Sequence, residues 1–234
     1  MAARIRAIAT HLPARVLGND ELAALYPSWP AEKILDKTGI RERRIAADDE
    51  TAADLAAAAA DALFASGRCS REEVDFLILC TQAPDFILPT TACLLQDRLG
   101  LRRDIGALDV NLGCSGFVYG LSLATGLIAA GAASRILLLT ADTYSKYIHA
   151  RDKSVRTLFG DGAAATLIEA SDTGSLGPFV FGTDGSGYIP WIAEKQEADP
   201  TNAALAFFGA HPVGMVVVGS WQTIPRSDMS IITT

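Results

Sequence analysis

The sequence predicts a layered α/β fold built around a mixed, largely buried sheet. Three observations predict it. Residues 74–81 (VDFLILCT) and 135–140 (RILLLT) are near-continuous apolar runs of strand length, the pattern of strands covered on both faces. Helical patterns alternate with strand patterns through residue 140, which implies parallel strand pairs joined by helical crossovers. Half of the 234 residues are hydrophobic and 20% are charged, as in a globular chain and unlike a disordered one.

The elements follow in order. Residues 4–10 alternate and end at Leu12-Pro13, a strand and then a turn with His11 in it. Asn19 is placed to cap a short helix through Leu25, with Tyr26-Pro-Ser-Trp-Pro30 as the loop after it. A second short helix around 31–37 ends at Gly39. Residues 51–64 are alanine-rich, the best helix-forming composition. Thr51 and Asp54 there have the spacing of a capping box, Leu55, Leu63 and Phe64 supply apolar anchors, and Gly67 ends the helix. The strand at 74–81, a helix at 92–99 closed by Gly100, and a strand at 107–111 come next. Another helix runs to about residue 130, and the strand at 135–140 follows. Leu158-Phe-Gly-Asp-Gly-Ala163 reads as a tight turn feeding a strand of small and β-branched residues. After Gly187 the pattern changes. Residues 191–201 are polar without a period, and 215–218 are one short strand candidate.

Composition excludes several classes. Net charge is −7, and no Lys/Arg cluster is interleaved with aromatics, so no nucleic-acid surface is expected. Arg41-Glu-Arg-Arg44 reads as a solvated face, with a phosphate contact as the alternative. The four cysteines, Cys69, Cys80, Cys93 and Cys114, form no CxxC pair, and the three histidines are scattered. No zinc site is expected, nor any other metal. The first residues do not read as a secretory signal. The apolar helix at 117–133 is too short and glycine-rich to span a membrane. A reducing cytoplasm with free thiols is therefore the expected compartment.

Cys114 is the candidate nucleophile. It follows a strand and precedes a helix, with Gly113 and Gly116 around it. A thiol at the first turn of a helix faces unpaired N–H groups and the positive end of the macrodipole, which favours thiolate. The flanking glycines leave room for a substrate to reach the sulfur. A strand-turn-helix junction with a nucleophile is a recurring catalytic device. The alternative is that Cys114 is a small buried hydrophobe. Gly-Asp-Gly at 160–162 has an ordinary turn as its simplest reading.

Four segments in this order and spacing resemble the β-ketoacyl-ACP synthase III family of the thiolase fold. They are Lys37-Thr-Gly-Ile-Arg-Glu-Arg-Arg-Ile45, Leu88-Pro-Thr-Thr-Ala-Cys93, Asn111-Leu-Gly-Cys-Ser-Gly-Phe117 and Leu158-Phe-Gly-Asp-Gly-Ala163. The resemblance implies a five-layered α/β/α/β/α architecture of two similar halves, and a homodimer. Residues 1–187 would supply the first half, with 188–234 a divergent or truncated tail. It implies that Cys114 takes an acyl group from acyl-CoA or acyl-ACP. Decarboxylative condensation with malonyl-ACP then yields a 3-oxoacyl-ACP, without a cofactor. The family completes the condensation with a histidine in a His-Gln-Ala-Asn setting and an asparagine in an Asn-x-Gly-Asn setting. Neither string occurs here. His211 lies too close to Cys114 for that pattern, and His149 reads as a loop residue.

The resemblance also assigns substrate contacts. Lys33 and Lys37 fall where members clasp the CoA adenine with a tryptophan and an arginine, and Lys153 falls where a second arginine guards the entrance. Lysine pairs with phosphate as a point charge but does not stack or fork, which tilts the expectation toward an ACP donor. Leu88 falls where the dimer partner caps the acyl pocket, and Phe159 beside the cysteine or in the core. Two alternatives stand beside the synthase reading. One is acyl transfer to a hydroxyl or amine acceptor, and the other is a non-catalytic half-synthase.

Overall fold

The computed structural model describes residues 2–149, 152–173, 176–183 and 231–232. The sequence expectations for residues 191–201, His211 and 215–218 lie outside these, as does nearly all of the tail at 188–234.

The chain order is β1 (Ala2–His11), β2 (Arg15–Gly18), α1 (Asn19–Leu25), α2 (Ala31–Thr38), β3 (Glu42–Ile45), α3 (Ala52–Ala65), β4 (Phe76–Cys80) and α4 (Thr91–Arg98). Then come β5 (Gly106–Val110), α5 (Gly116–Ala129), β6 (Arg135–Asp142), α6 (Lys153–Arg156), β7 (Gly162–Ser171) and β8 (Ile231–Ile232). The main sheet has the order β5-β4-β6-β7-β1-β8. Its β5-β4-β6 portion is parallel, while β7 runs antiparallel to both β6 and β1. The mixed sheet is as the sequence predicts. The separate β2–β3 ribbon was not anticipated, because four-residue strands rich in charge carry no periodic signal. His11 is the last residue of β1, opposite Ala163, and not a turn residue.

Period two divides the sheet's side chains between two cores. Leu77, Leu79, Leu137, Leu139 and Leu167 face α3 and α4. Ile78, Ile136, Leu138 and Ile168 face α5. Covered on both sides, these strands dispense with the polar alternation of a half-exposed sheet, hence the unbroken apolar runs. The described residues thus supply three layers: α3 with α4, the sheet, and α5.

Local chemistry places the helices. Thr51 Oγ1 accepts from the Asp54 N–H at 3.2 Å, and the Asp54 carboxylate accepts from the Thr51 N–H at 2.7 Å, completing the predicted capping box. Its alanines let α3 lie close on the sheet, while fully buried Leu55 and Leu63 each contribute about 2 kcal/mol of apolar burial. Gly39, at φ 71°, closes α2 in the left-handed conformation that favours glycine. Asn19 does not cap α1. Gly18 holds that position, and the Asn19 amide instead donates to the Ile40 carbonyl at 2.9 Å and accepts from Arg43. Among the described residues, no helix is long and apolar enough to cross a membrane.

Candidate active site

Cys114 lies on the turn between β5 and α5. The Gly116 N–H donates to the Gly113 carbonyl at 2.7 Å, and α5 starts at Gly116 with Ser115 as its N-cap. The sulfur therefore belongs to the turn before the helix and not to its first turn. The tight turn consumes one of the N–H groups that the sequence reading assigned to the thiol. Cys114 is exposed, which removes the buried-hydrophobe alternative. Cys93 is also exposed, whereas Cys69 and Cys80 are buried. Burial pushes both buried thiols up to about 11, so they stay protonated near neutral pH.

The glycines around Cys114 have a different role from the one expected. A Cβ on Gly116 would stand 2.1 Å from the Cys80 sulfur, and one on Gly113 would stand 2.5 Å from Gln82 Oε1. Both positions are filled by neighbouring side chains and do not serve as substrate space. Gly120, one turn further along, would meet Leu138 at 2.7 Å. Gly116 and Gly120 thus let α5 press onto β4 and β6, which sets the height of the Cys114 turn above the strand ends.

Aspartates hold the loops at this end of the sheet. Asp142, at the end of β6, accepts from the Gln82 N–H at 2.8 Å and the Thr81 hydroxyl at 3.3 Å. Asp109 on β5 accepts from the N–H groups of Thr91 and Ala92 at 2.9 and 2.7 Å, capping α4 from a neighbouring strand. Asp161, the centre of Gly-Asp-Gly, is buried. It accepts from the N–H groups of Ala46 and Ser145 at 2.7 and 2.8 Å and from the Ser145 hydroxyl. Gly-Asp-Gly is therefore a staple joining three loops, more than an ordinary turn. Arg43, expected on a solvated face, is also buried, with its guanidinium on the Thr157 carbonyl and Asn19. Burial lowers its pKa from the ordinary arginine value.

Burial pushes the Asp142 carboxyl up to about 6 from an ordinary 3.8, outweighing the donors that lower it. The folded state thus holds this proton more tightly than the unfolded chain does. Ionisation costs stability, and the penalty grows as pH rises through the interval between the two values. Asp142→Asn keeps an acceptor without the charge. Urea titrations of both proteins are expected to diverge in the variant's favour from about pH 4 to about pH 7, by up to about 3 kcal/mol. A difference that stays constant with pH would overturn this assignment.

The other predicted site residues fall on two helices, α2 and α6, and on two loops. Phe159 packs its ring 5.5 Å from that of Tyr144, and a Cβ on Gly113 would lie 3.6 Å from the Tyr144 hydroxyl, so Phe159 joins the Cys114 turn through Tyr144. Lys153 stands with its ammonium 5.5 Å from the centre of the Trp29 ring, and Lys33 stands 5.4 Å from the same ring. Lys37 is exposed in the last turn of α2, four residues after Lys33 and on the same helix face. The sequence reading missed Trp29, because a tryptophan between two prolines looks like plain loop. Leu88 is 87% exposed beside Ile87 at 91%, in the loop before α4. Among the described residues, no three His, Cys, Asp or Glu side chains gather as metal ligands.

Known proteins resemble this chain in sequence and fold. The family model described as 3-oxoacyl-[acyl-carrier-protein (ACP)] synthase III matches residues 108–185. The chain is 44% identical over 202 residues to a β-ketoacyl-[acyl-carrier-protein] synthase III 2 of Halalkalibacterium halodurans, covering 84% of this chain and 60% of that protein. A crystal structure of a 3-oxoacyl-(acyl-carrier-protein) synthase III superposes with a TM-score of 0.78 at 68% identity, covering 80% of this chain and 56% of the other. The Pseudomonas aeruginosa synthase III superposes at 0.73 with 40% identity, covering 79% and 58%. The architecture is thus thiolase-like α/β, matching the first half of such proteins. The chain matches the N-terminal part of the β-ketoacyl-ACP synthase III family, and it spans 60% of the length of the curated relatives to which it is 44% and 38% identical.

Proposed function

We propose that this chain carries the acyl-loading machinery of a β-ketoacyl-ACP synthase III-type acyltransferase, with Cys114 as the nucleophile. The observation that carries the reading is the exposed sulfur on the turn where the parallel strands β4, β5 and β6 end. Open α/β sheets bind their ligands outside the carboxyl ends of such strands. Cys114 Sγ attacks the carbonyl carbon of an acyl thioester. The new S–C bond forms as the bond to the donor thiol breaks, and the donor leaves with the proton that Cys114 gives up. In the whole protein, malonyl-ACP then loses carbon dioxide. Its carbanion attacks the Cys114 thioester, and the cysteine is released. The reaction belongs to acyl-chain biosynthesis in the cytoplasm. The chain lacks the His-Gln-Ala-Asn and Asn-x-Gly-Asn strings, so loading is the step that its own residues support.

The Trp29 ring flanked by Lys33 and Lys153 supports a CoA donor, offering a π-face to a purine and two cations to phosphates. Lys37 extends the cationic face. Leu88, with Ile87 and Phe86, presents an exposed apolar loop, the kind of surface that protein interfaces use. Among the described residues β5 pairs only with β4, which leaves one strand edge open. Both features support a homodimer in which Leu88 caps the partner's acyl pocket, with Phe159 close to the acylated sulfur.

Incubation with acetyl-CoA or a longer acyl-CoA, followed by peptide mass mapping, is expected to add one acyl group to the Cys114 peptide. Cys114→Ala is expected to take none, and Cys93 to stay unmodified in both. An absence of acylation from both acyl-CoA and acyl-ACP donors would leave the non-catalytic reading. Carbon dioxide release from malonyl-ACP separates condensation from simple transfer to a hydroxyl or amine.

A further inference from the structure

Three strand ends meet beneath Cys114, and two polar side chains lie between them that the acyl-transfer scheme does not use. Gln82 follows β4. Its backbone N–H is fixed on Asp142 at 2.8 Å, and its side-chain oxygen packs against Gly113, the residue before the cysteine. Tyr144 follows β6. Its ring is braced by Phe159, and its hydroxyl donates to Gln82 Oε1. An amide has one acceptor end and one donor end. With the oxygen occupied by Tyr144, the two N–H donors of Gln82 remain for another partner. The nearby group that gains an anionic form in the acyl-transfer scheme is the Cys114 sulfur.

We propose that Gln82 and Tyr144 are positioning residues for Cys114: the Tyr144 hydroxyl holds the Gln82 carbonyl so that the amide N–H donors serve the sulfur when it is anionic. The proposal rests on the nucleophile reading above and adds to it what orients and stabilises the nucleophile. Burial pushes the Tyr144 phenol up, and negative charge on Asp142, Cys114 and Cys80 acts in the same direction. The phenol therefore stays a neutral donor across the working pH range, and it lies close enough to Cys114 to feel its charge. The titratable groups around the pair are Asp142 on β6, Cys80 on β4 and Cys114 itself, with Asp161 acting on Asp142 from beyond.

Alkylation of Cys114 by iodoacetamide, followed by peptide mapping, tests this in the full chain, with exposed Cys93 as the internal reference. Gln82→Glu keeps the shape and an acceptor for Tyr144 but removes the donors. Tyr144→Phe keeps the ring and frees the amide to turn. Both are expected to slow Cys114 about tenfold near neutral pH, the effect of one lost charge-assisted hydrogen bond, with Cys93 unchanged. At a pH where every exposed thiol is ionised, the rates are expected to converge with wild type. Wild-type speed near neutral pH in either folded variant would overturn the proposal, and so would equal slowing at every pH, which marks altered access. If Gln82→Glu does not fold, Tyr144→Phe alone decides. Failure of Cys114 to take an acyl group would sink the proposed function but leave this comparison readable, so the two can fail separately.

Discussion

Asp161→Ala is expected to be among the most destabilising single substitutions in the described fold, by about 3–5 kcal/mol. The carboxylate is buried and satisfies the N–H groups of Ala46 and Ser145 together with the Ser145 hydroxyl. Alanine leaves those donors in a closed space without an acceptor. A stranded buried donor costs about 1–3 kcal/mol, and here the two backbone N–H groups cannot rotate away. Asp161→Asn retains one carbonyl acceptor and is expected to fall between wild type and Asp161→Ala. Chemical denaturation followed by circular dichroism measures the series. The loss should also reach Tyr144, the residue before Ser145, so alkylation of Cys114 is expected to change in the folded fraction. An Asp161→Ala protein within about 1 kcal/mol of wild type would return Gly-Asp-Gly to an ordinary turn.

Gly116→Ala is expected to have the second large effect, for a steric reason. The added methyl would sit 2.1 Å from the sulfur of buried Cys80 and 3.2 Å from Leu112 Cβ. Cys80 is held in place, because its thiol donates to the Leu112 carbonyl at 3.2 Å and its strand is paired on both sides. Either α5 lifts from the sheet or the thiol abandons its bond. Overpacking of this kind costs about 1–3 kcal/mol, and lifting α5 displaces the Cys114 turn with it. The check is a double-mutant cycle. Cys80→Ala alone costs little beyond a small void, and Cys80→Ala combined with Gly116→Ala is expected to recover most of the loss in both melting temperature and Cys114 reactivity. Additivity of the two substitutions would exclude this contact as the cause.

Most of the fold was legible because its signals are local. The buried strands announce themselves as apolar runs, since a strand covered on both faces has no polar side to show. The capping box at Thr51 and Asp54 and the glycine stops at residues 39, 67 and 100 need only a few neighbouring residues, and all three glycines adopt positive φ. The ribbon of β2 and β3 escaped notice because it is short and charged. Asn19 was misread for a related reason. An Asn near a helix start has a local use as a cap, and nothing in its own sequence window reveals Ile40 and Arg43 as competing partners.

The candidate site divides along the same line. Cys114 stood out from its strand-turn-helix setting, but the expected use of its glycine neighbours was wrong. Gly113 and Gly116 are small because Gln82 and Cys80 press on them. Trp29 was passed over because half of its cationic setting comes from Lys153, 124 positions further along the chain by residue number. Gln82 and Tyr144 lie 62 residues apart, and neither belongs to a motif.

The sequence by itself determined the layered α/β architecture, the order of β1, β4, β5, β6 and β7 with the helices α1 to α5, and a cysteine on the β5–α5 turn. Each of these follows from side-chain periodicity and backbone preferences acting over a few residues. Only the tertiary structure decided that Asp161 is a buried staple 115 residues from Ala46, that Arg43 is buried on Thr157, and that a tyrosine and a glutamine meet under the nucleophile. A buried polar group must find its partner wherever folding brings one. That choice depends on which loops converge in space, and adjacent residues carry no record of it.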